Sequence, residues 1–140
     1  MFGNILLAVD GSEHAKHAAR VAGDLARTMQ SETLRVVVVY APIPVFLGEP
    51  NMQTVLDARL HEANIILEAA LSEVGEVPSE IHTELLEGTP ADTIINVASV
   101  RKSDLIVMGS RGLGTLVGLL VGSNSQKVVA HAHCPVLIVR

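Results

Sequence analysis

Asn4-Ile5-Leu6-Leu7-Ala8-Val9-Asp10-Gly11-Ser12 is an aliphatic run that stops abruptly at turn and helix-start residues. An apolar run bounded in this way predicts a strand over 4–9, buried on both of its faces. The period then changes. From Ser12 to Gln30, the apolar positions Ala15, Ala18, Ala19, Ala22, Leu25, Ala26 and Met29 recur at steps of three and four. That spacing predicts a helix with one apolar face, and Ser12 stands where an N-cap is wanted.

The alternation continues outward from this unit. Leu34 to Ala41 reads as a second strand, rich in β-branched residues, closed by Pro42-Ile43-Pro44 and an irregular connection through Pro50. Thr54 to Val74 carries Val55, Ala58, Ile65, Ile66, Ala69 and Ala70 at helical spacing. Pro78 to Glu87 is a strand made more polar by Glu80, His82 and Glu84, which suits the edge of a sheet. Gly88-Thr89-Pro90 opens a helix to about Lys102, with Thr89 as N-cap and Pro90 at the first helical position. Asp104 to Met108 is again aliphatic. A glycine loop follows, then a helix from Ser123 to about His131 and a last strand from Pro135 to Arg140. Strands that alternate with helices predict a parallel sheet with right-handed crossovers, a three-layer α/β/α sandwich forming a single domain over 1–140.

Composition agrees. The chain has 140 residues, of which 49% are hydrophobic and 2% aromatic, long enough for a core without disulfides or structural metal. A net charge of −5 argues against a nucleic-acid backbone as partner. Cys134, the single cysteine, excludes an internal disulfide and suits a reducing cytoplasm. Met1-Phe2-Gly3-Asn4 shows no basic segment before an apolar one, so no signal peptide is expected. Nor is a membrane span: extending Leu113 to Gly122 backward would bury Arg111, at about 2.5–3.5 kcal/mol.

Chemistry concentrates in Gly109-Ser110-Arg111-Gly112 and the glycines that follow, up to Gly122-Ser123-Asn124-Ser125. Glycines let the main chain approach a ligand, and successive amides in such a turn form an anion-binding concavity. A helix starting near Ser123 adds N–H groups and the positive end of its dipole, with the Ser123 and Ser125 hydroxyls as further donors. A flexible connection would share this composition. The kinase-type phosphate loop needs a Lys before its Ser/Thr, and none precedes Ser123. A dinucleotide fingerprint needs an acidic residue about 20 positions on, and no Asp or Glu follows Gly118.

Gly109-x2-Gly112-x9-Gly122-Ser123 resembles the ATP-binding signature of universal stress proteins. The opening Ile5 to Ser12, Gly88-Thr89-Pro90, Asp104 to Ser110 and Cys134 to Val139 resemble the same family in the same order. The resemblance implies a five-stranded parallel sheet of order 3-2-1-4-5, with Asp10 and Gly109 facing one crevice. It implies that Ala8, Val9, Asp10 and Tyr40 lie near adenine and ribose, and Met108 and Gly109 beside the ribose. Gly112, Gly122, Ser123, Asn124 and Ser125 would cradle phosphate, with Arg111 screening its charge. Asn124 stands where the family commonly has an apolar residue, yet its backbone N–H is all a cradle requires. ATP is the implied ligand, with Mg²⁺ held through its phosphates and no metal site made by protein ligands alone. The implied assembly is a homodimer through Val136, Leu137, Ile138 and Val139.

Other readings fare less well. A phosphate-receiver domain wants a second acid beside Asp10 and an Asp after the third strand, where this chain has Gly11 and Gly88. A flavin carrier wants aromatic stacking, and the chain has no Trp. His131, His133 and Cys134 lie at a helix end, where i,i+2 spacing does not place both rings on one face. Cys134 reads as a packed apolar residue, and His14, His17, His61 and His82 as surface residues. Function is then expected to be ATP-dependent regulation or stress response with a partner the sequence does not name. A slow Mg-dependent ATPase and a nucleotide-free dimerisation platform are the alternatives; no catalytic residue is assigned.

Overall fold

The structure, a computed structural model, describes residues 1–110 and 121–140. The elements run β1 (Asn4–Ala8), α1 (Glu13–Met29), β2 (Thr33–Tyr40), α2 (Asn51–Val74), β3 (Glu80–Glu87), α3 (Pro90–Val100), β4 (Leu105–Gly109), α4 (Ser123–His131) and β5 (Val136–Val139). A single 3-10 turn, Val45–Leu47, interrupts the connection between β2 and α2. Helix α2 begins ahead of the expected Thr54, because the amides of Met52 and Thr54 donate to the carbonyls of Gly48 and Pro50. Helix α3 ends before the expected Lys102, whose φ of 57° takes the chain out of the helix.

The sheet has five parallel strands in the order β3-β2-β1-β4-β5, so the polar β3 does lie at an edge. Alternation along the strands divides the core in two. Ile5, Leu7, Val9, Leu34, Val36, Val38 and Val107 face the buried alanines of α1 and α2. Leu6, Ala8, Val37, Ile106 and Met108 face Ala91, Ile94 and Val97 of α3 and Val128 of α4. Helices therefore cover both faces, which is why the central strands read as unbroken aliphatic runs.

Small residues bring α1 close to its neighbours. Ala18, Ala19, Ala22 and Ala26 are fully buried, and a Cβ on Gly23 would lie 2.4 Å from the Val74 carbonyl oxygen at the end of α2. Ser12 caps α1 as expected, its hydroxyl accepting from the Ala15 amide at 3.2 Å. Thr89 occupies the cap position of α3, but its hydroxyl donates to Asp92 at 3.1 Å and accepts from no backbone amide. At the other end of the sheet, the Asp104 carboxylate accepts from the amides of Gly3 at 2.9 Å and Asn4 at 3.1 Å. This charge-assisted pair holds the start of β4 beside the start of β1 and so helps set their register.

Candidate functional site

Strands β1 and β4 are neighbours, paired from Ile5 with Leu105 to Ala8 with Met108. Val9-Asp10 and Gly109-Ser110 therefore leave the sheet at one level. From there α1 goes over one face and α4 over the other. Such a reversal opens a crevice at the carboxyl ends of the two strands.

Asp10 is partly exposed at this edge, and its Oδ1 accepts from the Ser12 amide at 3.0 Å. Gly11, at φ 85°, makes the turn that a side chain would strain. Beside it Val9, Gly11, Ala15, Ile66 and Ala70 line a shallow apolar notch. Ala8, Val9 and Met108 are buried at the ends of their strands. Tyr40 is half-buried on β2, beyond Val37, the register partner of Ala8, and it packs against the α1–α2 side of the core.

Gly109 has a role that the sequence did not suggest. A Cβ there would lie 2.9 Å from the carbonyl carbon and Cβ of His14 and 3.0 Å from the Ala15 nitrogen. The glycine is thus required by the first turn of α1, whatever approaches from the crevice.

Ser110, absent from the expected site residues, is 1% exposed and engaged at all its polar groups. Its amide donates to the Val139 carbonyl at 2.7 Å, its carbonyl accepts from the Gly122 amide, and its hydroxyl pairs with His14 Nδ1 at 2.7 Å. His14 is consequently half-buried and bonded, a correction to its reading as a surface residue. Only its partner, distant in sequence, reveals this.

Gly122 is the N-cap of α4 in an extended conformation, with no side-chain cap bond. Ser123 and Asn124 are exposed in the first turn. The Ser125 hydroxyl, expected as a phosphate donor, is buried and donates to the Gly109 carbonyl at 2.8 Å. It ties α4 to the end of β4. Arg111 and Gly112 lie outside the described residues.

Away from the crevice, Val136 and Ile138 of β5 are half-buried and Leu137 is exposed on the sheet's outer strand. The Cys134 thiol is pushed up by burial, with a smaller push from the Asp104 charge. Among the described residues no three His, Cys, Asp or Glu side chains converge to hold a metal. No helix among them is long and apolar enough to cross a membrane.

The sequence model of the universal stress protein family matches residues 1–140. A universal stress protein of Thermus aquaticus, from the QAH/OAS sulfhydrylase 3' region, is 50% identical over 140 residues and covers 100% of both chains. The universal stress protein UspA of Lactobacillus plantarum superposes with a TM-score of 0.86 at 30% identity, covering 99% of this chain and 98% of its own. A universal stress protein in complex with cAMP superposes at 0.67 with 28% identity, covering 99% and 97%. One from Archaeoglobus fulgidus in complex with dAMP superposes at 0.71 with 25% identity, covering 100% of each.

Proposed function

The chain belongs to the universal stress protein family, and from that premise we propose that it holds ATP at the carboxyl ends of β1 and β4. One observation carries the reading. The N-terminus of α4, without a side-chain cap, is held at the end of β4 by the bond from the Gly122 amide to the Ser110 carbonyl, level with Asp10. A helix start so placed offers amide donors and dipole charge to phosphate. Ser123 and Asn124 contribute those amides; Arg111 and Gly112 belong to the same signature in sequence. Ser125 acts from behind, through Gly109. Asp10 accepts from ribose hydroxyls, with Ala8, Val9 and Tyr40 near the base and ribose and Met108 and Gly109 beside the ribose.

Mg²⁺ would be held by the phosphates, which supply hard oxygen ligands, and would offset their charge. Relatives that hold dAMP and cAMP support an adenine nucleotide as the class. The role is retention. Hydrolysis needs a group that orients water and charge opposite the γ-phosphate. The loop's sequence offers the Ser123 and Ser125 hydroxyls and the Arg111 charge, but no general base to orient water. The bound nucleotide then sets the conformation or partner choice of a cytoplasmic stress-response regulator. Its homodimer pairs β5 with its copy across a two-fold axis, removing the edge at Val136, Leu137, Ile138 and Val139.

Mass spectrometry of the denatured protein after gentle purification tests the reading. It should release an adenine nucleotide, and the folded protein should liberate phosphate no faster than a Gly122→Val variant. A clean protein that takes up no added ATP would overturn the first part; steady turnover lost in Gly122→Val would overturn the second.

A further inference from the structure

The geometry points to His14 as a positioning residue for the phosphate end of the crevice, acting through Ser110. This rests on the nucleotide reading above and adds a residue that the signature lacks. Ser110 and Gly122 are the two roots of the glycine loop, joined by one backbone hydrogen bond. The orientation of that bond's acceptor depends on how the Ser110 peptide is held. Its amide is held by Val139 at 2.7 Å and its hydroxyl by His14 Nδ1 at 2.7 Å. At 1% exposure the hydroxyl cannot exchange the imidazole for bulk water. The ring is itself fixed, since His14 lies in the first turn of α1, two residues after the Ser12 cap, with its backbone against Gly109. Next along the same helix, His17 Nδ1 pairs with the Arg140 carbonyl beyond β5. The face of α1 toward β4 and β5 thus clasps the loop root and the outer strand together.

Removing the imidazole leaves a buried hydroxyl unpaired, and the Ser110 peptide turns to find another partner. Its carbonyl then no longer meets Gly122 in line, and the first amides of α4 lose their aim at phosphate. The nucleoside end, on β1, β2 and Met108 of β4, lies outside the Ser110–Gly122 bond that this change disturbs. Loss of His14 should therefore weaken binding of phosphate selectively.

Isothermal titration of Mg-ATP and of adenosine into wild type, His14→Ala, His14→Asn, Ser110→Ala and the His14→Ala/Ser110→Ala double variant decides the matter. Asn carries a polar atom near the place of Nδ1. We expect His14→Ala and Ser110→Ala each to weaken ATP about tenfold, the worth of one buried hydrogen bond. Adenosine should change by less than about twofold, His14→Asn should restore most of the loss, and the double variant should be no worse than either single one. Equal weakening of ATP and adenosine, or no weakening of ATP, would overturn the proposal and leave His14 a stabiliser of α1 only. Additive losses in the double variant would also overturn it. If His14→Ala does not fold, Ser110→Ala with the same split of ligands decides. Wild type that binds neither ligand removes the nucleotide reading and this proposal together, and calorimetry on wild type shows that failure first.

Discussion

Alanine at Gly109 should destabilise the protein with no nucleotide present. The added Cβ would stand 2.9 Å from two atoms of His14 and 3.0 Å from the Ala15 nitrogen, most of them main chain. Carbon contacts are favourable only near 3.5–4.0 Å, so the end of β4 and the first turn of α1 must separate by roughly half an ångström or more. Overpacking of this kind costs about 1–3 kcal/mol. Against it, losing a glycine from the unfolded chain returns about 0.4–1 kcal/mol. The net loss should be about 1–2 kcal/mol, or about 3–8 °C in Tm for a chain of this length. The assay is thermal unfolding of nucleotide-stripped protein by circular dichroism, with a urea titration to confirm a lower midpoint at unchanged slope. An unchanged or raised Tm in the stripped protein, with ATP binding alone impaired, would refute the reasoning. The glycine would then serve ligand approach, and the packing against α1 would be soft.

Gly23→Ala should also destabilise, although alanine gains about 1 kcal/mol in a helix interior. Its Cβ would lie 2.4 Å from the Val74 carbonyl oxygen, which already accepts from Arg27 Nη1 at 2.9 Å, and a chemical denaturation midpoint below wild type checks the sign. The Asp92 carboxyl is held below its ordinary range, chiefly by its bond to Lys127 and then by Thr89. A depressed folded pKa makes its contribution to stability present above the unfolded value and lost as pH falls through the folded one. Lys127→Ala should move the Asp92 midpoint upward in a carbon-detected NMR titration, and an unmoved midpoint would deny the α3–α4 bond. Leu137→Lys, which sets a charge on the outward strand, should shift light scattering from dimer to monomer; a dimer that survives would place the interface elsewhere.

Much of the fold was legible because alternation and helical period are local properties. Each strand from Asn4 to Val139 shows in its own window, and the polarity of Glu80, His82 and Glu84 even marked β3 as an edge. Gly109 and Gly122 came into view through resemblance to the family's signature rather than through local period. What stayed hidden depends on pairs distant in the chain. His14 looks like an exposed residue early in a helix until Ser110, 96 positions away, is set beside it. Gly109 reads as a ligand-facing glycine until α1 packs on it. The Ser125 hydroxyl looks available to phosphate, whereas the helix turns it inward to the Gly109 carbonyl. Asp104 had the one local hint, an acid immediately before an aliphatic strand, and its task of holding Gly3 and Asn4 follows from the strand order.

If the end of β4 and the start of α4 hold ATP opposite Asp10, blocking that helix start must release the nucleotide from a chain that still folds. Calorimetric titration of Mg-ATP into the nucleotide-stripped wild type and its Gly122→Val variant tests it most directly. Saturable binding at one site per chain in wild type, abolished in a folded Gly122→Val, is the predicted result. Absence of heat in wild type, or equal affinity in both proteins, would contradict it.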